Sequence, residues 1–307
     1  MAVAGLGLSM IDGVRVFKQL LAHEGRTRSC FGYMDRLRRQ EWSIKPHFRA
    51  TVLDWLTAVA ASYRLSLDSL YLAASILDRA LDGGVPVLRT NLQLIAITAL
   101  MMASKLQDVK PLTVSRCFTV CAKTFTHDEV LYMEIAIGNV LAWRLYVPVS
   151  YSFMALLIAN DGDTTSNVEL FAQYMLDLSL AEYASLCVLP SVLAGAVLCM
   201  ARQHANISPV LGDATALLLK CTVADLRPVA LLICDMLQSR NGALVAVQLK
   251  YKTNILVLDD AWAGLAATIS TQWYASNAAG TVLQALSWGL HAHLSTAQLH
   301  RIDASQA

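Results

Sequence analysis

Charge is scarce in this sequence. Only 15 % of its 307 residues are Asp, Glu, Lys or Arg, against 56 % apolar, and the mean hydropathy is +0.47. Such a chain must first be tested as a membrane protein. Its longest apolar runs are 92–104 and 186–201, the second broken near its start by Pro190. Both fall short of the roughly 18–20 residues that cross a bilayer. No charged n-region, apolar core and small-residue cleavage site stands at the start, so an intracellular protein without a membrane partner is expected.

Other absences narrow the chemistry. Glycine (15) and proline (7) are sparse, so few positions break a helix. The seven cysteines, Cys30, Cys117, Cys121, Cys187, Cys199, Cys221 and Cys234, are odd in number and scattered, which implies no disulfide framework. Cys117 and Cys121 can share a helix face, but no second Cys/His pair follows at zinc spacing, so core packing is expected and no metal. There is no G-x-G-x-x-G, no G-x-x-x-x-G-K-[ST], no H-E-x-x-H and no G-x-S-x-G, and "GLG" at 5–7 follows no strand. No pair of acids stands out as an acid/base couple. No catalytic residue and no cofactor is therefore assigned.

What is present is helical periodicity. Apolar residues recur at helix spacing over roughly 9–23, 46–62, 67–81, 89–106, 113–121, 127–142, 149–159, 166–181, 188–204, 209–218, 222–239 and 279–300. Asp68 stands near the start of one helix, and Thr126 with Glu129 has capping-box spacing. The fold class is all-α, with two blocks of about five helices. The segments are an N-terminal one with a short helix (1–30), a first block (31–147), a second (148–242) and an apolar C-terminal extension (243–307). Between 253 and 307 the sole cation is Arg301, while Trp262, Trp273 and Trp288 are all there. Residues 279–300 are expected to form a helix covering an apolar face of the second block. Net charge is +1, and its one local excess is Arg26, Arg28, Arg36, Arg38, Arg39, Lys45 and Arg49 against Asp35 and Glu41.

Within "LQLIAITALMMASKLQDVKP" (92–111), Lys105 interrupts a run that otherwise reads as buried. A lysine near a helix C-terminus is favoured by the dipole and can snorkel to water. It can equally lie on a surface that another molecule covers.

Three segments in order bear on that choice: "FRATVLDWLTAVAASYRLSLDSLYLAASILDRAL" (48–81), "LQLIAITALMMASKL" (92–106) and "YMEIAIGNVLAWRL" (132–145). Together they resemble the cyclin box, nearest to A- and B-type cyclins. "LPSVLAGAVLCMA" (189–201) and "LKYKTN" (249–254) resemble the second cyclin fold and its exit, so the likeness covers about 10–254. It implies two tandem five-helix cyclin folds and a regulatory subunit, not an enzyme, that binds and allosterically activates a cyclin-dependent kinase in the nucleus and cytoplasm. By the same likeness, Lys105 and Glu134 contact the kinase main chain, with Met102, Leu106, Trp143 and Leu145 around them. Arg49 and Asp78 match an internal ion pair that ties the first cyclin-box helix to the second.

The resemblance also implies a groove for Arg-x-Leu motifs of substrates and inhibitors, at Phe48, Thr51, Val52, Trp55, Ala58, Leu92 and Gln93. Phe48, Thr51 and Val52 depart from the usual residues, and Ala58 stands where an acid meets the motif's arginine. Losing that charge-assisted contact weakens recruitment by about 1.5–3 kcal/mol, roughly ten- to a hundredfold. Gln107 likewise replaces the first acid of "ASK-x-E-E", while Asp108 keeps the second. The short N-terminal segment holds no Arg-x-x-Leu degradation signal, and "SILDR" and "VKPLTVS" are similar to gammaherpesvirus cyclins. Two alternatives stand beside activation: a decoy or scaffold that binds a kinase without activating it, and a DNA-binding protein on tandem cyclin folds. The second rests on the basic stretch 26–49 alone.

Overall fold

The structure is a computed structural model that describes residues 10–27, 32–38, 44–161, 164–238 and 245–251. All regular structure among the described residues is helical. The helices are α1 (Met10–Thr27), α2 (Tyr33–Arg38), α3 (Pro46–Ser62), α4 (Leu67–Asp82), α5 (Leu92–Gln107), α6 (Val114–Val120), α7 (His127–Val140), α8 (Ser150–Asn160), α9 (Ser166–Ala181), α10 (Pro190–His204), α11 (Asp213–Leu219) and α12 (Val223–Gln238). A 3-10 turn fills Tyr183–Cys187, and a last helix, α13, spans 245–251. Helices α3–α7 form one five-helix unit and α8–α12 a second.

The two greasy runs of the sequence become the central helices of the two units. On α5 every residue from Leu92 to Ser104 except Gln93 is buried, packed against α3, α4, α6 and α7. On α10 every residue from Leu193 to Arg202 is buried among α8, α9, α11 and α12. A helix that is apolar all round needs neighbours on all sides, and here other helices supply them where a membrane protein would use lipid. Among the described residues no helix is long and apolar enough to cross a membrane.

Caps set most boundaries. Thr126 and Glu129 form the capping box that starts α7. Asp68 lies in the first turn of α4, as expected, and accepts from Ser152; the cap itself is Ser66, whose side chain accepts from Ser69 N. The helix expected from 89 begins at Leu92. The Asn91 side chain accepts from Leu88 N (2.7 Å) and donates to Pro86 O (3.1 Å), folding 86–91 into a turn. Helix α10 starts at Pro190, not 188, because proline fits the first helical turn. Helix α11 starts at Asp213, not 209. The short elements α2, 183–187 and α13 went unread in the sequence, and the expected helix 279–300 lies outside the described residues.

Buried charges stitch the units together. Arg49, 1 % exposed, donates from Nε and Nη2 to Asp78 (2.7 and 2.8 Å) and from Nη1 to the carbonyls of Leu180 and Ala181 (3.1 Å each). The pair thus binds α3 to α4 and also closes the C-terminus of α9 in the second unit. Tyr33 donates to the same Asp78 at 2.7 Å; burial and that carboxylate push its phenol well above 10, so it keeps its proton. Glu24 on α1 accepts from Ser191 N (3.0 Å) and Oγ (2.6 Å), capping α10. Asp54 on α3 accepts from Ala246 N (3.0 Å) and Val247 N (3.2 Å), the first turn of α13. Asp177 accepts from Tyr71, Lys250 and Tyr251 at 2.6, 2.6 and 2.7 Å, joining α4, α9 and α13.

Candidate functional site

Lys105 ends α5 and Glu134 faces it from α7; their charged atoms lie 2.6 Å apart, with the side chains 43 % and 17 % exposed. The lysine therefore sits where the helix dipole favours a cation, partly open to water, and pairs with an acid. A bond this open to water contributes little to stability. The α5 end is nonetheless held firmly. Ser104 Oγ donates to Met101 O (2.8 Å) and accepts from Leu112 N (2.9 Å), while Asp108 accepts from Ser66 N (2.8 Å) and Ser69 Oγ (2.5 Å) at the start of α4.

Apolar side chains stand open to solvent around this pair: Leu106 at 51 %, Trp143 at 55 %, and Leu131 and Ile135 one turn apart on α7. Ala142 and Trp143 both adopt left-handed backbone (φ 48° and 57°), which costs non-glycine residues about 1–2 kcal/mol each. This turn throws the indole back over α7. A Cβ on Gly138 would lie 2.6 Å from Trp143 Cζ2, so only glycine lets the ring rest there. Arg79 fixes the next two residues, donating to Arg144 O (2.7 Å) and Leu145 O (2.6 Å). Burial lowers its guanidinium to about 10, still charged at neutral pH.

The expected contact residues divide in two. Lys105 and Glu134 pair, and Trp143 lies over Gly138 one turn beyond Glu134; Leu106 is exposed next to Lys105 in the chain, and Leu145 is half-buried. Met102 does not join them: at 1 % exposure it is core. Of the groove residues, Thr51 and Ala58 are exposed and Phe48, Trp55 and Gln93 half-buried, while Val52 and Leu92 lie below the surface. The Phe48 ring sits between His47 (centroids 4.2 Å apart) and the Arg89 guanidinium, 4.7 Å from its centre. The only acid on α3 is Asp54, which is turned inward to α13.

The basic stretch 26–49 is not one surface, since Arg49 is buried on Asp78 and Arg36 pairs with Asp82. Burial pushes the Cys117 and Cys121 thiols up to about 12 and about 11, away from the thiolate a metal needs, and no cluster of metal-ligating residues occurs among the described residues. Sequence reasoning missed Arg79, Asp54 and Asp177. Each finds its partners far along the chain, and no local pattern marks them.

The comparisons agree with this architecture. The cyclin N-terminal domain family matches residues 15–146 and the cyclin C-terminal domain family matches 148–256. The chain belongs to the cyclin family. It is 29 % identical over 249 residues to the G2/mitotic-specific cyclin C13-1 of Daucus carota, covering 79 % of this chain and 71 % of that one. It is 31 % identical over 237 residues to Cyclin-A3-2 of Oryza sativa, covering 75 % of this chain and 60 % of that one. Among solved structures it resembles a viral cyclin from herpesvirus saimiri, with a TM-score of 0.58 and 20 % identity over 73 % of this chain and 97 % of that one. That likeness is one of fold.

Proposed function

We propose that this chain is the regulatory subunit of a cyclin-dependent protein kinase, which it binds through the Lys105–Glu134 face and activates. The observation that carries the reading is a half-open ion pair whose own helices and the following turn expose Leu106, Leu131, Ile135 and Trp143. Exposed apolar surface together with charged groups is the usual mark of a protein contact. A docking backbone can offer a carbonyl to the ammonium and an N–H to the carboxylate once the apolar rim excludes water, which strengthens both bonds.

Activation on this reading needs no catalytic group here. A kinase works only when its strand lysine pairs with the glutamate of its mobile helix and its activation segment lies open. A rigid helical partner shifts the kinase toward that state by binding it more tightly than the inactive one. The buried ties of Arg49, Asp54 and Asp177 supply the rigidity. The complex would act in the nucleus and cytoplasm.

Recruitment through the α3 groove is a weaker part of the reading, since Ala58 offers no acid and Arg89 covers Phe48. Substrates with Arg-x-Leu motifs would dock poorly. A viral source, suggested by "SILDR" and "VKPLTVS", has no further support, because a likeness of fold does not carry it.

The test is co-purification of the full chain with a panel of cyclin-dependent kinases. Recovery of a stoichiometric complex that Trp143→Ala weakens supports the reading. Failure of every kinase to bind overturns it.

A further inference from the structure

Beyond the end of α5 the surface closes into a shallow pocket. Tyr63 and Arg64 come from the end of α3, Asp108, Val109 and Lys110 from the segment after α5, and Arg116 from α6. Three cations, Arg64, Lys110 and Arg116, line it, and none pairs with a carboxylate. The one acid, Asp108, is committed to Ser66 N and Ser69 Oγ. Arg116 lies with its guanidinium 5.5 Å from the Tyr63 ring centre, which holds it in place, and its side chain makes no hydrogen bond to the protein. Val109 is 99 % exposed beside them.

Arg64 adds a second oddity. It occupies the position just past the C-terminus of α3, at φ 54°, with Leu65 N donating to Ala60 O (2.9 Å) and Arg64 N to Ala61 O (3.2 Å). Glycine takes that conformation at least cost, because a Cβ is strained there. The chain carries an arginine instead, and it lines the same pocket as Lys110 and Arg116.

Three like charges in one concavity repel, and a single dianion relieves them. A phosphate group offers several strong acceptor oxygens to guanidinium and ammonium donors. The exposed valine and the tyrosine edge give the neighbouring residues of a peptide an apolar footing. A nucleic acid would need a longer track of cations matching successive phosphates, and only three cations line this pocket. We propose that Arg64, Lys110 and Arg116 form a docking pocket for a phosphorylated serine or threonine in a partner protein. None of the three belongs to the Lys105–Glu134 face, so this site stands or falls separately from kinase activation.

The test uses the full chain and a fluorescent alanine-rich peptide with one phosphoserine next to a leucine, read by anisotropy at physiological ionic strength. Its unphosphorylated form, inorganic phosphate and a short duplex DNA serve as the other arms. The phosphopeptide should bind at least about tenfold more tightly than the unphosphorylated form, a difference of about 1.4 kcal/mol. Inorganic phosphate should displace it, and the combined variant Arg64→Gly, Lys110→Ala, Arg116→Ala should abolish the preference. Arg64→Gly relaxes the backbone there, so loss of binding with an unchanged melting temperature is not a folding defect. Equal binding of the two peptides, an unchanged preference in the variant, or tighter variant-sensitive binding of the DNA would each overturn the proposal.

Discussion

Asp54 accepts a hydrogen bond from Ala246 N at 3.0 Å across 192 positions of sequence, so a carboxylate of the first unit caps a helix that follows the second. The helix dipole makes an anion favourable there, and the carboxylate satisfies backbone donors that α13 cannot satisfy itself. Asp54→Ala should cost about 2 kcal/mol in urea unfolding. Asp54→Asn, which keeps an acceptor, should lose about half as much. Proteolysis within 245–251 should accelerate in the alanine variant, and unchanged cleavage and stability would show that α13 is held by its other contacts.

Arg49 and Asp78 are predicted to behave as a unit. Removing either leaves a buried charge without its partner and should cost about 3–5 kcal/mol, whereas the double replacement Arg49→Met/Asp78→Leu should cost less than the sum of the single changes. A double-mutant cycle read by denaturant unfolding checks this. Additive losses would mean that the bonds to Leu180 O and Ala181 O, not the ion pair, dominate.

Glu129 gives a pH dependence with a definite sign. Hydrogen bonds from Thr126 N and Oγ1 hold its carboxyl below the ordinary 4.5. A depressed folded-state value means that its stabilisation is complete above 4.5 and is lost as pH falls through the folded value. The parent should therefore be more stable than Glu129→Gln at neutral pH. The gap between their urea midpoints should narrow as pH drops below 4.5, and a gap independent of pH would contradict the capping-box charge.

How much of this could be read in the sequence depends on how local the signal is. The Thr126–Glu129 box spans three residues and was legible; so were the central helices α5 and α10, whose apolar runs announce burial. Asp68 marked the first turn of α4, but the cap, Ser66, was not legible, since Asp108 holds its backbone from 42 positions away. Helix α13 was not legible at all, since its N-cap sits on α3 and its anchor, Asp177, on α9. Lys105 stood out as a cation ending an apolar run, whereas Glu134 and Trp143 came from resemblance. What the residues could not say is that Met102 points inward, because helix periodicity is uninformative where a helix is buried all round.

Gly138 links the fold to the proposed interface. A methyl at this position forces the Trp143 indole off α7, while alanine favours the helix by about 1 kcal/mol. Gly138→Ala should thus leave melting nearly unchanged yet weaken kinase binding about tenfold or more. Trp143→Ala should weaken it by up to about thirtyfold, the 2 kcal/mol of an aromatic anchor. Calorimetric titration against the co-purifying kinase measures both, and full affinity in both variants would remove Trp143 from the interface.

The most direct measurement is histone phosphorylation by each kinase of a cyclin-dependent panel, alone, with the parent chain, and with Lys105→Ala/Glu134→Ala. The account predicts strong activation of at least one kinase by the parent and loss of most of it in the double variant, whose melting should stay close to the parent's because the pair is half open to water. Binding without activation, or activation that survives the double variant intact, would contradict it.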